Sequence, residues 1–273
     1  MKGNVVFMTK VGFIGAGNMG TAIMKGILES SLTENIELYV ADLDSAKTSS
    51  LQQLGIKICK DAGEIVSVCK YVFLAVKPQV MEDVLKSVAE FVDSKTVFVS
   101  IAAGISSSFI KNITGENTKS VIVMPNTPLL LNEGASALAK PEPVSDEEFD
   151  FVFKKNKKCG KAEIVPENKM KEIIAVNGSS PAFIYLYAKG FIDYAVGEGI
   201  NQDTAVRLFC QSLIGSAKMI TDSGYSLDEL IKMVSSPGGT TLAGLDELYK
   251  GNLTEVVSKA SQACTKRAYE LSK

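Results

Sequence analysis

Apolar residues in the first half of the chain fall in short runs, and these alternate with segments whose apolar positions recur every three or four residues. Val11-Gly12-Phe13-Ile14 leads into Gly15-Ala16-Gly17-Asn18-Met19-Gly20, after which Ala22, Ile23, Ile27 and Leu28 repeat at helical spacing. A second run, Ile36–Ala41, ends at Asp42. A helix from Ser45 to Leu54 stopped by Gly55, a short strand Ile56–Ile58, a helix Asp61–Val68 and the almost wholly apolar strand Tyr71–Val76 follow. The pattern then gives a helix Val80–Phe91 and strands Thr96–Ile101 and Ser120–Met124. Apolar strands separated by helices predict a parallel sheet covered on both faces. Residues 134–165 read as strand, helix and short strand, with Lys140-Pro141-Glu142-Pro143 as a turn within them.

From about Glu167 onward the strand signals vanish. Helices are predicted from Lys169 to about Val196, then over Asp203–Thr221, Leu227–Val234, Thr240–Leu248 and Leu253–Leu271. Asn177-Gly178-Ser179-Ser180-Pro181 interrupts the first of these, and its proline implies a kink or break, or a plain turn between two helices. The fold class is therefore α/β, an N-terminal parallel-sheet domain over residues 1–166 followed by an all-helical domain over residues 167–273. A length of 273 residues with 46% apolar content supplies enough material for two cores.

Composition removes several classes of function. A net charge of −2 with no long basic stripe gives no footprint for nucleic acid, and no apolar run is long enough to span a bilayer. Val5–Phe7 is too brief for a secretory core, so a cytoplasmic protein is expected. The five cysteines are at least ten residues apart and match neither a zinc cluster nor a redox pair, so no metal site is expected and the thiols read as buried and free. Histidine is absent, which takes away the commonest general acid–base.

Two segments carry candidate chemistry. In Gly15-Ala16-Gly17-Asn18-Met19-Gly20 the first glycine permits a tight turn, the second lets a pyrophosphate touch backbone and the third lets strand and helix pack closely. Asp42, about 20 residues beyond, stands where a dinucleotide fold places its ribose-binding acid. The strand tips Lys77-Pro78-Gln79, Ala102-Ala103-Gly104 and Pro125-Asn126-Thr127-Pro128 all belong to the carboxyl edge of the sheet, where ligands of such folds bind. The second segment is Ser235-Ser236-Pro237-Gly238-Gly239-Thr240-Thr241-Leu242-Ala243-Gly244-Leu245, which gathers backbone donors and hydroxyls at a helix start. A small carboxylate fits that description, and so does an N-capped helix after a Pro-Gly turn.

Taken in order and spacing, the Gly15–Gly20 loop, Ala75-Val76-Lys77-Pro78-Gln79, Ala102-Ala103-Gly104, Met124-Pro125-Asn126-Thr127-Pro128, Gly178-Ser179-Ser180-Pro181-Ala182 and Ser235–Leu245 resemble pyrroline-5-carboxylate reductase, the last enzyme of proline biosynthesis. The resemblance covers essentially the whole chain. It implies a Rossmann-type domain, a helical domain that dimerises, often with further assembly of dimers, and NADPH or NADH as coenzyme. It places the pyrophosphate on Gly15, Ala16, Gly17, Asn18, Met19 and Gly20, and the nicotinamide near Ala75, Val76, Lys77, Pro78, Ala102, Ala103 and Gly104. It assigns the carboxylate of pyrroline-5-carboxylate to Gly238, Gly239, Thr240 and Thr241, contributed by the partner subunit, with Glu167 and Ser179 lining the pocket. Thr241 is implied to orient the imine and relay a proton to its nitrogen, with helix capping as its other available role, and Lys77 to contact the coenzyme. An imine is basic enough to arrive protonated, which suits a chain without histidine.

Two departures from the family pattern matter. Ser180 and Phe183 replace the usual glycine and tyrosine after Gly178-Ser179. Ala41-Asp42-Leu43-Asp44 stands where many members carry a polar, basic cluster for a 2′-phosphate, so Asp42 leans the chain toward NADH, with Lys47 and Thr48 near enough to offset it. The competing readings are a related imine reductase or β-hydroxyacid dehydrogenase, for which Lys189 is wrongly placed as the acid–base lysine, and a non-catalytic dinucleotide sensor, which has no use for a carboxylate cradle.

Overall fold

The computed structural model of the chain describes residues 8–29 and 35–271, so the Val5–Phe7 stretch lies outside it. Eight strands form one sheet: β1 Thr9–Ile14, β2 Ile36–Ala41, β3 Lys57–Ile58, β4 Tyr71–Leu74, β5 Val97–Ser100, β6 Lys119–Met124, β7 Gly134–Ala139 and β8 Gly160–Ile164. Their order is β3-β2-β1-β4-β5-β6-β7-β8, so the strand order reverses between β1 and β4. Among the described residues six α-helices accompany them: α1 Asn18–Glu29, α2 Ser45–Gln52, α3 Ala62–Val68, α4 Met81–Val88, α5 Ser107–Thr114 and α6 Asp146–Lys158. The rest of the described chain is helical: α7 Met170–Ile173, α8 Ser180–Gly197, α9 Gln202–Asp222, α10 Leu227–Met233, α11 Thr240–Lys250 and α12 Leu253–Leu271.

Pairing is parallel from β3 through β6, which puts the C-terminal tips of β1, β2, β4, β5 and β6 on one edge. The expected parallel sheet is extended by two further strands: β7 runs antiparallel to β6, and β8 is parallel to β7. A single 3₁₀ segment, Thr127–Leu131, separates β6 from β7. That link is too short for the helical crossover a parallel pair needs, so the chain turns straight back.

Strand alternation divides the core between the two faces of the sheet. Val11, Phe13, Tyr71, Phe73, Val97, Val99, Val121 and Val123 pack with Ile23 and Ile27 of α1 and with Phe149 and Val152 of α6. Ile14, Val72, Leu74, Phe98, Ile122 and Met124 pack with Ile65 of α3, Met81 and Leu85 of α4 and Ile110 of α5. The covering helices carry their own local signals. Asp61 caps α3, Ser106 caps α5, and Ser145 forms a reciprocal capping box with Glu148 at α6.

The chain divides into two compact units. The first runs to Ser179 and resumes at Cys264; the second spans Ser180–Ala263. The break expected near Pro181 is a π-helical turn, Ile174–Gly178, and Pro181 itself falls in the first turn of α8, where a missing N–H breaks no helical bond. In the second unit only Pro181 and Ala205 are buried among the described residues, whereas Leu186, Tyr194 and Leu208 are each about two-thirds exposed or more. Helices with so little interior of their own have no core to hold them in isolation.

This corrects one expectation about the thiols. Cys59, Cys69 and Cys159 are buried, but Cys210 is exposed and Cys264 half-exposed, because they lie on α9 and α12, whose flanks this single chain leaves uncovered. Burial pushes the Cys59, Cys69 and Cys159 thiols up to about 11, 12 and 11. The nucleophile is the thiolate, so iodoacetamide at pH 8 is expected to spare these three in the native protein and to modify them once it is unfolded. Peptide mass mapping before and after denaturation checks this, and rapid native labelling of Cys69 would contradict it.

Candidate active site

Three glycines after β1 do three different things. Gly15 adopts φ 103°, and a Cβ there would lie 2.7 Å from the Ala75 carbonyl oxygen. A Cβ on Gly20 would lie 2.9 Å from the Gly15 carbonyl oxygen and 3.0 Å from the Ala75 side chain. These two glycines let β1, α1 and the tip of β4 approach one another. Gly17 is different, since a Cβ there would meet nothing of the chain within 4 Å. Packing does not require that glycine. It leaves open space at the start of α1, where a helix offers unpaired N–H groups to an anion. Asn18 is exposed at the first position of α1, and Met19 packs its side chain against the core.

Asp42 sits at the tip of β2, as expected, and its carboxylate is engaged by the chain itself. Oδ2 accepts from the Ala16 N–H at 2.6 Å and Oδ1 from the Asp44 N–H at 2.8 Å. Lys47 Nζ lies 3.9 Å from Asp42 and 3.6 Å from Asp44, so its charge is shared between two carboxylates. Thr48 is buried and donates its hydroxyl to the Ser45 carbonyl, which turns it away from any ligand and removes it as an offset to Asp42. Asp42 borders a cleft of about 530 Å³ together with Gly15, Leu43, Asp61, Val76 and Val80. Ala75 continues the sheet by donating to the Ile14 carbonyl, and Lys77 is exposed just ahead of the 3₁₀ turn Pro78–Val80. The glycine loop, Asp42 and the β4 tip thus meet around one concave surface at the point of strand reversal, and the residues present fit a dinucleotide.

Ala102, Ala103 and Gly104 follow β5 on the same edge. Ala102 and Gly104 line a small crevice with Ile105, Met124, Met170 and Glu167, which brings Glu167 to this tip. Both Glu167 carboxylate oxygens are used: one accepts from the Ser107 N–H at 2.7 Å and the other from the Ser107 hydroxyl at 2.8 Å, at the start of α5. The motif after β6 holds a feature that sequence reasoning missed. Asn126 and Asn177 are both buried and are linked through main chain and amide to each other and to β7. Ser179 follows directly, its N–H donating to the Ile174 carbonyl to close the π turn. Polar residues beside proline at a strand tip and at a helix break were the available signal.

The Ser235–Leu245 segment lies in the second unit. Gly238 adopts φ 71°, Gly239 closes a turn onto the Ser236 carbonyl at 2.9 Å, and a Cβ on Gly239 would lie 2.6 Å from Ser236 Oγ. Gly239 is the N-cap of α11 and no side chain caps that helix. By contrast α2, α3, α5, α6, α9 and α10 are capped by Asp44, Asp61, Ser106, Ser145, Asn201 and Ser226. The N-capped alternative for this segment is therefore not realised. Thr240 and Thr241 are exposed at a helix N-terminus with no side-chain cap, which leaves its N–H groups open to an anion. Lys189 is exposed on α8 and paired with Asp193, one turn on.

Comparison with known proteins agrees with these two halves. Residues 167–271 match the family model for pyrroline-5-carboxylate reductase dimerisation, and residues 10–104 match that for NADP oxidoreductase, coenzyme F420-dependent. The chain is 32% identical to pyrroline-5-carboxylate reductase of Escherichia coli over 97% of its own length and 98% of the relative's. It superposes on the 1-pyrroline-5-carboxylate reductase of Streptococcus pyogenes with a TM-score of 0.88 at 30% identity, covering 96% of this chain and 99% of that one. The NADP-bound pyrroline carboxylate reductase of Plasmodium falciparum gives a TM-score of 0.87 at 27% identity, covering 97% and 98%.

Proposed function

The chain belongs to the pyrroline-5-carboxylate reductase family, and from that premise we propose how its residues divide the work of reducing 1-pyrroline-5-carboxylate to L-proline, the last step of proline biosynthesis. The observation that carries this reading is the presence in one chain of a ligand-ready glycine loop and an uncapped, hydroxyl-bearing helix N-terminus. Residues 1–166 form the dinucleotide-binding domain and residues 167–273 the helical substrate and dimerisation domain, a boundary supported by the family match that begins at residue 167. The match and the nearly coreless helical unit support a homodimer, in which the partner's α11 segment completes the site, with assembly of dimers beyond it. No described helix is long and apolar enough to cross a membrane, and the five cysteines are free, which suits the reducing cytoplasm we assign to it.

The Gly15–Gly20 loop with Ala16, Asn18 and Met19 holds the pyrophosphate, and Ala75, Val76, Lys77, Pro78, Ala102, Ala103 and Gly104 hold the nicotinamide end. When bound there, the reduced nicotinamide would supply a hydride, one proton with two electrons, to the C=N carbon. Backbone N–H groups of Gly239, Thr240 and Thr241, in the turn made by Gly238, hold the substrate carboxylate and so set the ring's position. Glu167 and Ser179 border the pocket. The Thr241 hydroxyl orients the imine nitrogen and, where the imine arrives unprotonated, passes it the proton that the product amine retains while taking one back from solvent. No strong acid is needed, because holding two reactants in line is itself worth roughly 7–11 kcal/mol of barrier.

Asp42 sets the coenzyme preference. Its carboxylate is fixed by two N–H groups at the tip of β2, Asp44 stands beside it, and Lys47 is shared between them. A ribose diol finds acceptors there, whereas a 2′-phosphate meets two negative charges. NADH is expected to give at least about tenfold higher kcat/KM than NADPH with pyrroline-5-carboxylate, a difference of roughly 1.4 kcal/mol. Nicotinamide absorbance followed in parallel assays tests both ideas. Equal or better kcat/KM with NADPH would remove the role given to Asp42, and no oxidation of either coenzyme would remove the substrate.

A further inference from the structure

Asn126 and Asn177 add side-chain hydrogen bonds between the tip of β6, the start of β7 and the turn Ile174–Gly178, segments that sheet pairing and apolar packing already bring near one another. The Asn126 side-chain amide donates to the Asn177 carbonyl at 3.1 Å, and its Oδ1 accepts from the Ala135 N–H at 2.8 Å. The Asn177 side-chain amide donates in turn to the carbonyls of Met124, at 2.7 Å, and Ala135, at 3.1 Å. Both residues are 8% exposed, so these bonds form away from water. The pair therefore ties the tip of β6 and the start of β7 to the π turn Ile174–Gly178.

The chemistry explains why an amide is needed. An α-helix would satisfy the Asn177 carbonyl with the N–H four residues on, but residue 181 is proline and has none. Asn126 supplies a donor in its place, from 51 residues away in sequence. The π turn is closed by the Ser179 N–H on the Ile174 carbonyl at 2.8 Å, so Ser179 leaves the turn at a place set by this arrangement. A π turn is a less favourable geometry than a continued α-helix and persists where outside contacts hold it.

We propose that Asn126 and Asn177 are positioning residues for substrate: together they hold the π turn in register with the carboxyl edge of the sheet, and so place Ser179 against the ring that is reduced. This rests on the assignment of Ser179 to the substrate pocket made above. Neither asparagine is given a part in the proton or electron transfer. They act through the backbone of residues 174–179.

Asn126→Asp is the informative variant, because it keeps the acceptor for Ala135 and loses the donor to Asn177. Two readouts are taken. The first is amide hydrogen exchange over residues 174–180, which needs no turnover: exchange is expected to be at least about tenfold faster, with the β1 and β4 amides unchanged. The second is steady-state kinetics, where KM for pyrroline-5-carboxylate is expected to rise about tenfold or more while the NADH dissociation constant stays within about twofold. Asn177→Ser, which introduces no charge and withdraws the amide from the Met124 and Ala135 carbonyls, is expected to move both readouts in the same direction. Unchanged exchange in both variants would show that the pair does not hold the turn. Faster exchange with substrate KM and kcat unaltered would show that the turn is structural only, and either result overturns the proposal. Inactivity of the unmodified chain toward pyrroline-5-carboxylate would strike the assigned substrate instead, and the exchange result would still report on the latch.

Discussion

Thr241→Ala is expected to lower kcat for pyrroline-5-carboxylate by about a hundredfold, the low end of what a positioned proton donor contributes. The low end applies because a cyclic imine is basic: the fraction that arrives protonated needs only orientation from the hydroxyl, and proton relay serves the unprotonated fraction. KM should change by less than about threefold, since the carboxylate is assigned to backbone N–H groups that alanine retains. The variant should also keep its structure. Gly239 is the N-cap of α11 and no side chain caps that helix, so removing the Thr241 hydroxyl takes away no capping bond. Thr241→Ser, which keeps the hydroxyl, should recover most of the rate. Steady-state kinetics on the three proteins measure this, and normal turnover in Thr241→Ala would remove the proton-relay assignment.

Gly17→Val is expected to abolish coenzyme binding, raising the dissociation constant by at least about a hundredfold, while leaving the dimer intact. The two parts have separate causes. A Cβ at Gly17 meets nothing within 4 Å, so the first side-chain atom has open space, and the expected loss of stability is roughly 1 kcal/mol, that of an aliphatic residue at a helix start. The space it fills is the one assigned to the pyrophosphate. Gly20→Val is a useful contrast, because its Cβ falls 2.9 Å from the Gly15 carbonyl oxygen and must move backbone, so stability and binding should fail together. Fluorescence titration with NADH, melting curves and light scattering distinguish the cases. Coenzyme affinity within about threefold of the parent in Gly17→Val would place the dinucleotide elsewhere.

The elements that could be read directly from the chain are those whose signals are local. The apolar run of β4, the alternation that sends Val72 and Phe73 to opposite faces, the Asp61 cap of α3 and the span Leu253–Leu271 of α12 follow from residues within a few positions of one another. The glycine loop and the Ser-Pro-Gly-Gly-Thr-Thr segment are legible for the same reason: each needs particular residue types at adjacent positions, whatever the rest of the chain does. Tertiary structure decided matters of pairing and direction. Periodicity marks β7 as a strand but does not say that it runs against β6, because either direction buries the same alternate residues. The sequence shows an aspartate at position 42, and only the folded chain shows that carboxylate held by Ala16 while Thr48 turns inward. A break near Pro181 was visible, yet the donor that satisfies the Asn177 carbonyl ahead of it comes from Asn126, far away in sequence. Cys210 carries the same lesson in reverse, since a position that reads as buried in the sequence is exposed in the folded chain. Local residue chemistry determines which segments form and which ligands they suit; hydrogen bonds and contacts across tens of residues determine how those segments are aimed.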